Sequence, residues 1–128
     1  MKNFGYTKEV TSSFSEAIDD INFALLEQGF GILTQIDMQK NLKTKLNKDI
    51  EEYIILGACN PQFANEAMEI EYEIGLLLPC NVVVFKKRGR VFVSTIMPTV
   101  LMRGTGADNM DLLAKKVEKK LIKAVDSI

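Results

Sequence analysis

The chain has 128 residues, of which 47% are hydrophobic and 26% are charged, and its formal net charge is −1. This length and composition suit a single globular domain that spans residues 1–128. The near-neutral balance of 16 basic and 17 acidic residues gives no electrostatic footprint for DNA or RNA. Histidine is absent, which excludes Ser-His and Cys-His dyads and every zinc site that needs an imidazole.

The N-terminal sequence MKNFGYTKEV lacks the apolar run of a signal peptide, and the longest apolar stretches are too short to span a bilayer. We therefore expect a cytoplasmic protein without membrane contact, in which both cysteines remain reduced. A basic group is interpreted as the soluble tip of a hairpin rather than as a nucleic-acid site: Lys86, Lys87, Arg88 and Arg90.

The first half of the chain predicts two strands, each followed by a helix. Residues 3–10 alternate in polarity as a strand does. Ser13 and Glu16 form a capping box ahead of an amphipathic helix that ends at a glycine. Residues 30–37 return as a strand, and the basic segment 38–49 predicts a short surface helix.

The middle of the chain predicts a buried strand and then a helix. Residues 53–60 are apolar enough for a strand inside the sheet. Pro61 ends that strand and suits the first turn of a helix, which we expect to continue to Gly75. Because a hard cation needs oxygens from several directions, we interpret the acidic residues of this segment as a solvated face: Glu66, Glu69, Glu71 and Glu73.

The last part of the chain predicts a hairpin and a long helix. The segment NVVVFKKRGRVFVSTI places two β-branched runs around Gly89, which suits a tight turn. After Pro98 the chain is expected to be irregular until Asp108 or Asn109 caps the helix. Lysines surround the apolar stripe of this helix, at positions 115, 116, 119, 120 and 123. The order β-α-β-α-β-α-β-β-α predicts an α+β two-layer sandwich, with a mixed β-sheet and helices mainly on one face.

Three segments carry a resemblance to a known family. They read EQGFGILTQIDMQKNLKTKL (residues 27–46), ILGACNP and EIGLLLPCNVVV, and they agree with the family in order and spacing. Over almost its whole length the chain resembles domain-of-unknown-function family 302 (DUF302), which has the TT1751-like fold. The resemblance implies a compact α+β fold and a homodimer, and it implies no activity. The segment MPTVLMRGTGADN resembles the more variable part of the family.

The only two cysteines, Cys59 in GACNP and Cys80 in LPCN, are the first candidates for a site. If Pro61 begins a helix, the positive end of its dipole lies beside Cys59, which suits an ionised thiol or a bound anion. Asn60 can cap that helix or present its amide to a ligand, and Asn81 follows Cys80 in the same way. The plainer interpretation is that both thiols pack as small apolar side chains at chain corners.

Whether the two cysteines meet depends on the path of the chain between them. A parallel return would leave them at opposite ends of a strand roughly 20 Å long, which is beyond the reach of a disulfide. A helix that runs across the sheet would instead bring Cys80 back beside Cys59. Four methionines can add thioether ligands for Cu(I), although core packing is the simpler use of each: Met68, Met97, Met102 and Met110.

The segment RGTGADN, residues 103–109, lies just before the last helix. Arg103 and the N-terminus of that helix can together hold an anion. The segment lacks the Lys-Ser/Thr ending of a P-loop, and a flexible loop with a good cap accounts for the same residues. Arg103 is therefore kept as a candidate for ligand binding only.

These observations leave three classes of function. The first is a non-catalytic small-ligand-binding module, a homodimer with its site near GACNP and LPCN. The alternative is a cysteine-dependent redox, sulfur-carrier or soft-metal-binding protein centred on Cys59. An enzyme that uses carboxylates, Tyr53 or Tyr72 ranks third, because no acid–base pair stands out. The sequence identifies no catalytic residue, cofactor or metal site, and its candidates for ligand binding are Cys59, Asn60, Cys80, Asn81 and Arg103.

Overall fold

The structure, a computed structural model, describes residues 4–128, so residue 3 of the first predicted strand lies outside it. Within that range the strands are β1 (Gly5–Val10), β2 (Gly31–Asp37), β3 (Tyr53–Cys59), β4 (Cys80–Lys87) and β5 (Arg90–Ile96). The α-helices are α1 (Phe14–Glu27), α2 (Met38–Leu46), α3 (Pro61–Ile70), α4 (Pro98–Leu101) and α5 (Met110–Asp126). Two 3₁₀ segments also occur, Tyr72–Leu77 and Met102–Thr105.

The sheet has the order β1-β5-β4-β3-β2, and each neighbouring pair of these strands is antiparallel. The predicted α+β class is confirmed, whereas the expectation of a mixed sheet is wrong. A parallel return requires the connection to carry the chain back to the end of the sheet where β3 began. Here α3 and the following 3₁₀ segment leave and re-enter the sheet at the same end, so β4 runs opposite to β3.

One face of the sheet carries the main core, which α1 and α5 cover. Val82 and Val84 of β4 and Val93 of β5 are fully buried there. The other face carries a stacked row of half-buried aromatic rings, with centroids 5.5 Å apart for Tyr53–Phe85 and 5.3 Å for Phe85–Phe92. The covering helices thus lie mainly on one face, as the sequence predicts.

A second and smaller group of buried residues lies beside the main core. It joins α3, both 3₁₀ segments and the first turns of α5, through Ala67, Ile74, Met102, Met110, Leu113 and Ala114. Phe63 and Leu78 are partly buried and pack against both groups. These two side chains therefore form the seam between the main core and the second cluster.

Local sequence signals explain two features that were predicted correctly. The Ser13 hydroxyl accepts the Glu16 N–H at 3.1 Å, and the Glu16 carboxylate accepts the Ser13 N–H at 3.0 Å, so the capping box is confirmed. In the β4–β5 hairpin, Arg88 and Gly89 have φ values of 53° and 77°, as a two-residue type I′ turn requires. The Glu51 carboxylate accepts both N–H groups of this turn, at 2.6 and 3.0 Å.

Four expectations about the helices differ from the structure. The helix expected over residues 38–49 ends at Leu46. α3 ends at Ile70 rather than Gly75, because Glu71 is extended (φ −146°, ψ 108°) and the chain restarts as a 3₁₀ segment. The segment after Pro98 forms α4 and a 3₁₀ turn rather than irregular chain. Asn109 precedes α5 with helical backbone angles, and its side chain makes no capping hydrogen bond, so the predicted cap is wrong there.

Candidate functional site

The two cysteines lie at the same end of the sheet, on neighbouring strands. Cys80 is the first residue of β4 and pairs with Ala58 of β3, the residue just before Cys59. Because successive residues of a strand point to opposite faces, this offset makes the two side chains diverge. Both thiols are free, and the offset does not suit a disulfide, whose Cβ atoms must point toward each other.

The corners GACNP and LPCN enclose one cavity. Cys59 and Asn60 contribute to its wall from the first corner, and Pro79 and Cys80 contribute from the second. Cys59 is the last residue of β3, where the chain turns into α3. Helices and a 3₁₀ turn supply much of the remaining wall, through Phe63, Ala67, Met102, Leu113, Ala114 and Val117.

The cavity lies on the seam between the main core and the second cluster. Cys80 and Val117 belong to the main core, whereas Met102 and Leu113 belong to the second cluster. Its volume is about 30 Å³. That is room for about one or two water molecules, whereas pockets for drug-sized ligands hold roughly 300 Å³ or more. In this state the space is therefore too small for such a ligand.

The wall of the cavity is almost entirely apolar. The wall residues with a polarisable or polar side chain are Cys59, Asn60, Cys80 and Met102. Cys80 is 5% exposed, and burial, with the nearby Cys59 as a smaller cause, raises the pKa of the Cys80 thiol to about 11. Cys80 is thus a neutral thiol at physiological pH and packs as a small apolar side chain.

Asn60 fixes the first corner against the end of α1. Its side-chain oxygen accepts the Phe63 N–H at 3.4 Å, so the predicted helix cap is confirmed. Its amide nitrogen lies over Gly29, where an added Cβ would come within 2.9 Å of it. Gly29 has a φ of 87°, which favours glycine in its own right. The end of α1 and the start of α3 are therefore in close contact beside the cavity.

The second corner packs onto a glycine of β3. A Cβ at Gly57 would lie 2.2 Å from the Thr34 hydroxyl oxygen and 2.7 Å from Cγ of Pro79. These distances leave no space for a side chain. The absence of a Cβ at Gly57 thus allows Pro79, which follows a cis peptide bond, to approach β3 and place Cys80 at the cavity.

Comparison with known proteins gives the chain a family. Residues 6–128 match the family described as "Domain of unknown function DUF302". The chain belongs to the DUF302 family. It is similar to the crystal structure of an uncharacterized conserved DUF302 protein from Bacillus stearothermophilus, with 29% sequence identity, a TM-score of 0.92 and coverage of 97% of each chain. No curated protein matches the chain.

The DUF302 assignment confirms the resemblance in the sequence and supports the α+β fold. It adds no activity, because the matched family and the similar crystal structure are both described as uncharacterised. What the site of this DUF302 domain can do must therefore be argued from its own residues.

The structure brings together three of the five predicted ligand-binding residues of this DUF302 domain. Cys59, Asn60 and Cys80 share the cavity wall, but Asn81 and Arg103 do not. Asn81 is exposed on β4, paired with Gly57, and points away from the core face. Arg103 is exposed in the second 3₁₀ segment, where its neighbour Met102 is the residue that reaches the cavity.

Sequence reasoning missed the residues that complete the cavity. Phe63 and Val117 occupy apolar helix stripes, which indicate burial and cannot show that two stripes leave a space between them. In residues 4–128 no group of three or more Cys, Asp or Glu side chains is arranged to hold a metal ion. None of the helices described has the length and apolar character needed to cross a membrane.

Proposed function

We propose that this DUF302 domain is a non-catalytic small-ligand-binding module whose site is the cavity between GACNP and LPCN. The observation that carries the proposal is that these two corners, far apart in sequence, enclose one apolar cavity. Binding sites of this kind combine apolar walls with a few groups that orient the ligand. Here Cys59, Asn60 and Cys80 are the wall residues that carry such groups.

Access to the site follows from its place on the seam. A cavity of about 30 Å³ holds only a few atoms, so a larger ligand requires the wall to move. Phe63 and Leu78 pack against both the main core and the second cluster, and both line the cavity. We infer that their displacement opens the seam and enlarges the site.

Native mass spectrometry of gently purified protein tests the proposal. We expect a co-purifying small molecule, which Ala64→Leu displaces because Ala64 lines the cavity and the larger side chain fills it. Gln62→Leu is the matched control, since it adds a leucine at an exposed position of the same helix. A bound molecule that survives Ala64→Leu, or a preparation with no bound molecule, would contradict the proposal.

The cysteine-dependent alternative ranks second. The diverging side chains of Cys59 and Cys80 do not suit a thiol–disulfide couple, and the raised pKa of Cys80 keeps its thiol protonated. Only Cys59, which is half-buried, remains as a reactive centre. Fast labelling by a thiol reagent at neutral pH that Cys59→Ser abolishes would favour the alternative, and slow labelling of both cysteines would contradict it.

We also propose that the domain is a homodimer, as the family resemblance implies. The sheet face that α1 and α5 leave open supports this, because it carries stacked aromatic rings and the 41% exposed Ile36. Light scattering should give twice the chain mass, and Ile36→Lys should lower it. Leu112→Lys changes a 64% exposed leucine of α5 and should leave the measured mass unchanged.

The two free cysteines fit the reducing cytoplasm, which we propose as the location.

A further inference from the structure

A groove on the outer side of α5 lies next to the cavity. Its volume is about 300 Å³, which is within the range of small-molecule sites. Its walls are formed by Gln28, Phe63, Lys116, Lys119, Lys120 and Lys123. The four groove lysines, as we call them, follow the helical spacing i, i+3, i+4 and i+7, so they share one face of α5.

The four groove lysines form no ion pair in the part of the chain that the structure describes. In the described part of the chain the ion pairs are Lys43–Asp49, Lys86–Glu52 and Arg90–Glu9, and none of them involves a groove lysine. Like charges on one helix face repel each other. A bound anion would offset that repulsion, and the anion would be attracted to several lysines at once.

The groove and the cavity share a wall. Phe63 lines both, and Val117 lines the cavity from the same helix turn that carries Lys116 and Lys120 into the groove. Phe63 is partly buried, and it is also one of the two seam residues. Movement of its ring would therefore join the lysine-lined groove to the apolar cavity.

From this arrangement we infer the chemical class of the ligand: an organic anion with an apolar body. The anionic group lies among the four groove lysines, and the apolar body passes Phe63 into the cavity. The inference rests on the proposed function, because it assigns a head-group site to the same ligand. A nucleic-acid site would need a basic surface extended along a backbone, whereas the groove presents four lysines from two turns of one helix.

Three probes separate the two parts of the site. Octanoate has both the anionic group and the apolar body. 1-Octanol has only the apolar body, and acetate has the anionic group with almost no apolar body. Titrations followed by NMR of the backbone amides give the affinity and the residues affected. We expect octanoate to bind at least about tenfold more tightly than either of the others, with shifts at Phe63, Ala64 and Lys120. Added salt should weaken the binding of octanoate and leave the binding of 1-octanol unchanged.

Charge reversal shows whether the groove lysines hold the anionic group. Lys119→Glu together with Lys120→Glu should lower the affinity for octanoate about tenfold or more and leave the affinity for 1-octanol unchanged. Lys45→Glu with Lys48→Glu is the matched control, because both lysines are exposed, lie outside the groove and take part in none of the ion pairs named above. It should change octanoate binding by less than about twofold, as expected for a screened, more distant charge.

The outcomes distinguish the inference from the proposed function. Equal binding of octanoate and 1-octanol at the cavity would overturn the inference and leave the binding module intact. The inference would also be overturned if octanoate bound no more tightly than acetate and shifted only the amide signals of the lysines. That result would indicate binding of an ion at the surface. Equal weakening of octanoate binding by Lys45→Glu with Lys48→Glu would overturn it as well. If neither octanoate nor 1-octanol perturbed the cavity residues, the proposed function would fail together with the inference.

Discussion

Ala58 and Cys80 lie directly opposite each other across β3 and β4, on the face of the sheet that is covered by helices. Both are almost completely buried, at 1% and 5% exposure. This pairing places the Cys80 side chain in the core. Cys59 follows Ala58 in β3, so its side chain points toward the opposite face of the sheet. Both residues nevertheless line one cavity.

The first prediction concerns alkaline pH. Burial raises the pKa of Cys80 from 9.0 to about 11, so between these values the unfolded chain loses a proton that the folded chain keeps. The free energy of unfolding should therefore fall as pH rises through this window, by about 2–3 kcal/mol. Urea unfolding from pH 9 to 11 measures the change.

Two variants identify the group responsible. Cys80→Val removes the ionisable thiol and keeps an apolar side chain, so the loss of stability in this window should become smaller. Cys59→Ser should retain most of the loss, because burial is the larger cause of the raised pKa. An unchanged pH dependence in Cys80→Val would show that the Cys80 thiol is not protected from ionisation.

The second prediction concerns the close approach at Gly57. Gly57→Ala should lower the free energy of unfolding by about 1–3 kcal/mol, because its Cβ would overlap both Thr34 and Pro79. Gly75→Ala is the matched control, since a Cβ there meets no atom within 4 Å. Denaturant unfolding compares the two variants, and equal stabilities would show that Pro79 does not pack tightly on β3.

The parts of the fold that depend on neighbours in sequence could be predicted. The Ser13–Glu16 capping box and the turn at Gly89 each need only a few adjacent residues. The end of α3 could not be predicted in this way. Helical periodicity continues past Glu71, but the chain bends there and Ile74 is buried in the second cluster. Tertiary packing of Ile74 thus outweighs local helix preference.

The candidate site was only partly predictable for the same physical reason. Strand and helix signals placed Cys59, Asn60 and Cys80 at chain corners, and the structure brings these corners together. The direction of β4 decides that meeting, and it depends on pairing between distant segments. The lysines of α5 were recognised as its polar side, whereas the groove also needs Gln28 and Phe63 from two other helical regions.

The third prediction concerns the cap of α3. Asn60→Ala removes the acceptor of the Phe63 N–H and should lower the free energy of unfolding by about 1 kcal/mol. Asn65→Ala changes an exposed asparagine of the same helix and should have a smaller effect. Thermal unfolding measures both, and an equal or larger loss in Asn65→Ala would contradict the capping role of Asn60.

The fourth prediction concerns the link between α4 and α5. One oxygen of the Glu118 carboxylate accepts the Thr99 N–H at 3.0 Å and the Thr99 hydroxyl at 2.6 Å. Glu118→Ala should lower the free energy of unfolding by about 2 kcal/mol and speed amide hydrogen exchange in residues 98–105. Glu118→Gln keeps an acceptor and should lose less. Exchange that is unchanged in Glu118→Ala would show that this contact does not hold the segment.

The fifth prediction concerns the size of the cavity. Met102 is 5% exposed and lines it, so Met102→Ala should enlarge the space and cost about 2–4 kcal/mol. The enlarged apolar space should then take up xenon, which would raise the melting temperature of the variant more than that of the natural protein. Met68→Ala is the control, because Met68 is 41% exposed and should lose little stability and gain no xenon binding. If Met102→Ala bound no xenon, the second cluster would have collapsed into the space, and the seam would be too pliable to define the proposed site.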